Sequence, residues 1–191
     1  PMQDEPDTGP PIAPDAGTHE EMQHEGMPEA AAADPIAMRE VFIEASLALT
    51  EELVSDRHFG AVGALDAVES SLAALAAASP DDDLSLLSAR AAALRPAGAD
   101  IDSLRLAFDP FSQALLDYVR AHVGTLTGPL RVAHCPMADN AAGDDEGASW
   151  LQRPERVWNP YFGDAMLHCG SVKEVLVPAT ARDAANEGGS L

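Results

Sequence analysis

Aromatic side chains make up only 5% of the 191 residues, and there are just two cysteines. So few cysteines exclude a disulfide-dense scaffold. So little aromatic surface means that a core has to be assembled mainly from Ala and Leu. No stretch approaches the roughly 20 consecutive apolar residues that cross a bilayer, so no transmembrane segment is expected. Also missing are a phosphate-cradling Gly loop, an H-E-x-x-H pair, a C-x-x-C pair and a Ser-His-Asp set at recognisable spacing. An enzyme is therefore not expected. Basic residues are scarce as well: 11 Lys and Arg stand against 32 Asp and Glu, a formal charge of −21. A field of that sign repels phosphate backbones, which excludes nucleic acid as a partner, while it concentrates cations near the surface and favours solubility.

What is present points to helices. The hydrophobic fraction is 46%, and its Ala and Leu are strong helix formers. The length suits one domain with a self-sufficient core. Residues 1–34 carry nine acids and no Lys or Arg, which leaves −12 for the rest. Rich in proline and poor in large apolar residues, this stretch cannot offset the entropy of folding and is expected to be a disordered tail or linker. Since the chain starts at Pro1, a mature or trimmed product is expected, its targeting segment or lipid anchor removed.

Apolar spacing of three to four residues predicts four helices between residues 35 and 125. Asp34-Pro35 caps the first, which carries Val41, Phe42, Ala45, Leu49 and Leu53. A second runs from about Asp56 or Phe59 to Ser79-Pro80. Asp81, Asp82 and Asp83 open a third, which stops at Pro96 and Gly98. Asp100 or Asp102 opens a fourth, with a kink or break expected at Pro110. His58 falls at a helix start and His122 near a helix end, where it complements the dipole. Short connections make an antiparallel four-helix bundle the expected fold.

Beyond Gly128 the pattern changes. "LRVAHC" and "VKEVLV" read as strands, with Trp150-Leu151 as a third. Asn159-Pro160 caps a predicted short helix through Met166, and Gly170 stops it. Residues 129–178 thus form a small irregular α/β cap, whose core is expected to be Trp150, Trp158, Tyr161 and Phe162. Residues 179–191 are a polar tail.

Both cysteines lie in this cap, each beside a histidine and close to a methionine: His134-Cys135-Pro136-Met137 and Met166-Leu167-His168-Cys169. In a helix, Met166 and Cys169 share a face. Thiolates and thioethers select Cu(I), and imidazole can join them; zinc accepts Cys and His but has little use for methionine. A disulfide between Cys135 and Cys169 explains the pair equally well and is worth about 4 kcal/mol by loop entropy. Buried free thiols are a third reading. Spacing alone leaves all three open.

Four blocks, Cys135–Ala138, Trp150–Gln152, Asn159–Gly163 and Met166–Gly170, occur in the order CPMA, WLQ, NPYFG and M-x-x-C-G. In this the chain resembles a bacterial domain family of unknown function, found alone or fused to adaptor subunits of Cus-type copper and heavy-metal efflux systems. The match covers about 40 residues; the helices resemble that family only in pattern. The resemblance implies a periplasmic or envelope location and copper handling, with Cys135, Met137, Met166 and Cys169 as ligands and His134 and His168 beside them. It implies an efflux adaptor or another envelope copper protein as partner. Outside the family pattern, His19, Met22, His24 and Met27 in "HEEMQHEGM" resemble the Met/His tracts of periplasmic copper proteins and form a candidate accessory metal tract.

Overall fold

A computed structural model of the chain describes residues 33–138, 143 and 146–178. Helix α1 (Pro35–Val54) begins as the sequence predicts: the Asp34 carboxylate accepts from the Ile36 N–H at 2.9 Å, and Pro35 occupies the first turn. It is followed by α2 (His58–Ala78), α3 (Ser85–Ala97) and α4 (Ile101–Ala121). At the start of α4 the Asp100 carboxylate takes the Ser103 N–H at 2.8 Å. The predicted interruption at Pro110 does not end the helix; α4 is continuous from Ile101 to Ala121 with Pro110 inside it. At its far end His122 Nδ1 donates to the Tyr118 carbonyl at 2.8 Å, satisfying one of the last-turn acceptors.

The fold is mainly helical, with one small antiparallel sheet. Helix α1 packs on α2 and α3 on α4, with α2 meeting α3. Phe42, Leu49, Leu53, Leu65, Leu75, Leu94, Leu104, Phe108 and Phe111 are essentially removed from solvent. Each such side chain contributes roughly 1.5–3 kcal/mol of burial free energy. By length and composition α2 is long and apolar enough to cross a membrane, although its apolar run is interrupted by Asp66, Glu69, Ser70 and Ser71. Its Leu65, Val68, Leu72 and Leu75 are buried among the other helices here. Arg39 is buried within this packing: Nε donates to Tyr118 Oη at 2.8 Å, one terminal nitrogen to Thr125 Oγ1 at 2.9 Å and the other to Asp82 at 3.3 Å.

All three predicted strands form: β1 (Leu130–Cys135), β2 (Ala148–Gln152) and β3 (Ser171–Leu176), in the spatial order β2-β1-β3. Antiparallel register pairs Cys135 with Ala148 on one side and His134 with Ser171 on the other. Lys173, the chain's one lysine, sits exposed on β3, where a charge discourages pairing with another edge. Helix α4 covers β2: the Ser149 carbonyl accepts from Ser112 Oγ at 2.9 Å and from Tyr161 Oη at 3.3 Å.

The helix predicted from Asn159-Pro160 to Met166 is not there. Asn159 Oδ1 accepts from the N–H groups of Tyr161 and Phe162, at 2.8 and 3.3 Å, which closes a tight turn. Gly163 follows with φ +51°, outside right-handed helix geometry, and one short 3-10 turn covers Gly163–Ala165. Turn chemistry at Asn159 thus overrides the N-cap that the same residue offers. Trp158 also departs from expectation: at 44% exposure it lies outside the cap core, while Trp150 and Tyr161 are buried and Phe162 half-buried.

Candidate functional site

Cys135 closes β1 and is fully buried, paired with Ala148 of β2, while the ladder to β3 ends one residue earlier at His134. Cys169 lies in the connection that leads into β3 and is half-buried. Since His134 faces Ser171 across the ladder, Cys135 falls one residue and Cys169 two residues beyond the last β1–β3 pair. The structure joins them in a disulfide with Cα atoms 5.8 Å apart and a sequence separation of 34. That distance is ordinary for a disulfide.

Each cysteine shares a reverse turn with a methionine. The Ala138 N–H reaches the Cys135 carbonyl at 3.3 Å, and this turn presents Met137 at 57% exposure. In the second turn the Cys169 N–H donates to the Met166 carbonyl at 2.9 Å, with Met166 half-buried. The association of Met166 with Cys169 therefore comes from a turn, not from the helix face expected. Gly170 brings the two turns together. With φ +114° it lies so close to β1 that a Cβ there would stand 3.0 Å from the His134 carbonyl carbon and 3.2 Å from Cys135 Cα.

The frame around these turns is built from buried amides. Gln152 Oε1 accepts from Trp150 Nε1 at 3.1 Å and from the Trp158 N–H at 3.2 Å. Its Nε2 donates to the carbonyls of Pro154 and Arg156 at 2.7 and 2.9 Å. Every hydrogen-bonding position of that side chain is used. Asn159, fully buried, adds to its two accepted bonds a donated one, from Nδ2 to the Cys169 carbonyl at 3.1 Å. Tyr161 packs between Phe108 of α4 and Trp150 of β2, with ring centroids 5.8 Å away in each case. Burial, with the Asp109 carboxylate as a further cause, holds its phenol well above the usual tyrosine range.

A second tie was invisible in the sequence. Arg105 of α4 donates to the Pro160 carbonyl and the Leu53 carbonyl, both at 2.8 Å, and pairs with Asp56. Asp56, itself at φ +53°, also accepts the Asp164 N–H at 2.8 Å. Partial burial pushes the Asp56 carboxyl upward, but the Asp164 N–H and Arg105 outweigh it and hold it below the usual range. Residues so far apart in the chain carry no local signal of their pairing.

The histidines are not turned toward the sulfurs in this form. Adjacent strand residues point to opposite faces, so His134 and Cys135 diverge, and His134 Nδ1 meets Ser149 Oγ at 3.0 Å. His168 Nδ1 donates to the Val157 carbonyl at 2.7 Å. Among the described residues no group of three or more His, Cys, Asp or Glu side chains is placed to hold a metal. With both sulfurs in the disulfide, the soft donors left are the thioethers of Met137 and Met166. A four-sulfur site therefore needs the disulfide reduced. The tract His19, Met22, His24 and Met27 lies outside the described residues. No protein-family model, curated protein or solved structure matches the chain.

Proposed function

We propose that the protein handles copper in the cell envelope: its reduced form binds Cu(I) through Cys135, Met137, Met166 and Cys169, and buffers the ion or passes it to an efflux or maturation partner. One observation carries this reading. Two turns distant in sequence, each holding one cysteine and one methionine, are joined at their cysteines. Thiolate with thioether is the donor chemistry that prefers Cu(I) over zinc. The disulfide suits an oxidising compartment, in keeping with a periplasmic location. In this reading α1–α4 form an antiparallel four-helix bundle that serves as a platform for the cap, and the protein is a carrier, not an enzyme. The resemblance of the CPMA, WLQ, NPYFG and M-x-x-C-G blocks to a copper-efflux-associated family supports the same view.

The test is an anaerobic Cu(I) titration of the reduced full chain against a chromophoric chelator. A second arm replaces His19, Met22, His24 and Met27 by Ala. One tight equivalent in both proteins, lost in Cys135→Ser and in Cys169→Ser, is expected. Single mutants that bind Cu(I) like the parent would refute the site.

A second reading is a disulfide-closed interaction module without metal. The observations in its favour are the closed disulfide and, separately, an exposed Trp158, which lines a cleft of about 410 Å³ with Leu47, Val54 and Leu151. It requires that no Cu(I) is taken up even after reduction.

A further inference from the structure

The two halves of the disulfide are not equivalent. Cys135 has no exposed surface and ends the central strand, paired with Ala148 of β2, its neighbour His134 being the last residue paired with β3. Cys169 is half-buried between the exposed residues His168 and Gly170, in a turn tied by its own N–H to Met166 and by its carbonyl to Asn159. Gly170 places no side chain beside it. From this asymmetry we infer that Cys169 is a thiol-exchange site: an external thiolate attacks its sulfur in preference, and Cys135 is the leaving group.

The step balances as follows. The incoming thiolate forms a new S–S bond to Cys169 Sγ while the Cys135–Cys169 bond breaks. Its electron pair leaves on Cys135, which takes a proton from water. A second thiol then attacks the incoming sulfur, releases Cys169 as a thiolate, and departs with the first thiol as their own disulfide. Two thiols are oxidised and the protein gains two electrons. Desolvation of the departing Cys135 slows the first step. Attack at Cys135 faces a harder obstacle, because in-line approach to a sulfur without exposed surface requires β1 to part from its neighbours. Access therefore sets the direction. After opening, Cys135 stays fixed by the sheet while Cys169 is free to move with its turn. The inference concerns the disulfide and holds whether or not metal follows.

The oxidised full chain is treated with glutathione, quenched with iodoacetamide and peptide-mapped without reduction. A parallel arm uses a Cys-x-x-Cys reductase whose resolving cysteine is replaced by serine, so that the faster donor identifies the source of the thiol. The mixed disulfide is expected on Cys169 and the alkyl group on Cys135, in about tenfold excess over the reverse isomer. Equal amounts, the reverse isomer, or reaction only after denaturant would overturn the proposal. Single-thiol variants give an independent check: native Cys135→Ala is expected to react with glutathione disulfide about tenfold faster than native Cys169→Ala, a gap that denaturant abolishes. Equal native rates would overturn it as well.

Discussion

Replacing Asn159 by Ala tests whether one buried amide holds the second sulfur turn. The side chain is fully buried and makes three bonds: it accepts from Tyr161 N and Phe162 N and donates to the Cys169 carbonyl. Truncation strands two N–H groups and one carbonyl inside the cap. An abandoned buried group costs about 1–3 kcal/mol, but the turn can relax and admit water to some of them, so about 2–4 kcal/mol in total is expected. Against a typical domain stability of roughly 5–15 kcal/mol, that is a large fraction. Urea unfolding followed by far-ultraviolet circular dichroism measures it, and hydrogen exchange at Tyr161 and Phe162 shows whether the loss is local. Asn159→Asp separates the bonds. Its carboxylate keeps both acceptor roles and loses the donor, so exchange at Tyr161 and Phe162 should stay slow while the bond to the Cys169 carbonyl is lost. If Asn159→Ala lies within about 0.5 kcal/mol of the parent with unchanged exchange, the amide does not hold the turn.

Three further outcomes follow from the same contacts. Tyr161→Phe removes the bond to the Ser149 carbonyl, about 1 kcal/mol at pH 8. Because the raised phenol contributes stability below its unfolded pKa of about 10 and loses it above, the variant should decline less than the parent between pH 8 and 11 in urea midpoint. Arg105→Met breaks the ties to Pro160, Leu53 and Asp56 and should cost about 2–4 kcal/mol in the same assay. The depressed Asp56 carboxyl contributes stability above the ordinary aspartate value and loses it as pH falls through its folded pKa, so this variant should be less acid-sensitive below about pH 4. Replacing Cys135 and Cys169 together by Ala should lower stability by about 4 kcal/mol for a separation of 34 residues, with helical circular dichroism retained; a loss under about 1 kcal/mol would contradict the loop-entropy account.

Much of the helix and strand pattern is legible locally, although α2 and α3 begin without a side-chain cap and Asp81, Asp82 and Asp83 lie ahead of α3 rather than in its first turn. Asp34-Pro35 and Asp100 cap their helices as composition demands, and the runs "LRVAHC" and "VKEVLV" pair as strands. The segment 159–166 is ambiguous in the sequence because Asn followed by Pro is compatible with both an N-cap and a tight turn. What decides between them is Gly163 beside Asp56 and Arg105, contacts made across 49 to more than 100 residues of chain. Trp158 was misplaced for a similar reason. Its backbone N–H, not its ring, is what the cap uses, through Gln152. The cysteine pairing stood open in the sequence because a disulfide and a soft-metal site need the same two residues brought to the same place.

Within the four sequence blocks, most residues are accounted for by architecture. Gln152 satisfies four backbone and side-chain groups, Asn159 three, Trp150 and Tyr161 fill the space between sheet and α4, and Gly170 permits contact with β1. Met137 is different. It stands at 57% exposure on a turn, where burial contributes little and leucine or a polar residue would serve the fold as well. A staple between Cys135 and Cys169 gives no reason for a thioether two residues from Cys135. In the proposed Cu(I) site a thioether adds a soft donor to the two thiolates of the opened pair. Met137 is therefore the residue on which the staple and the proposed copper site part company.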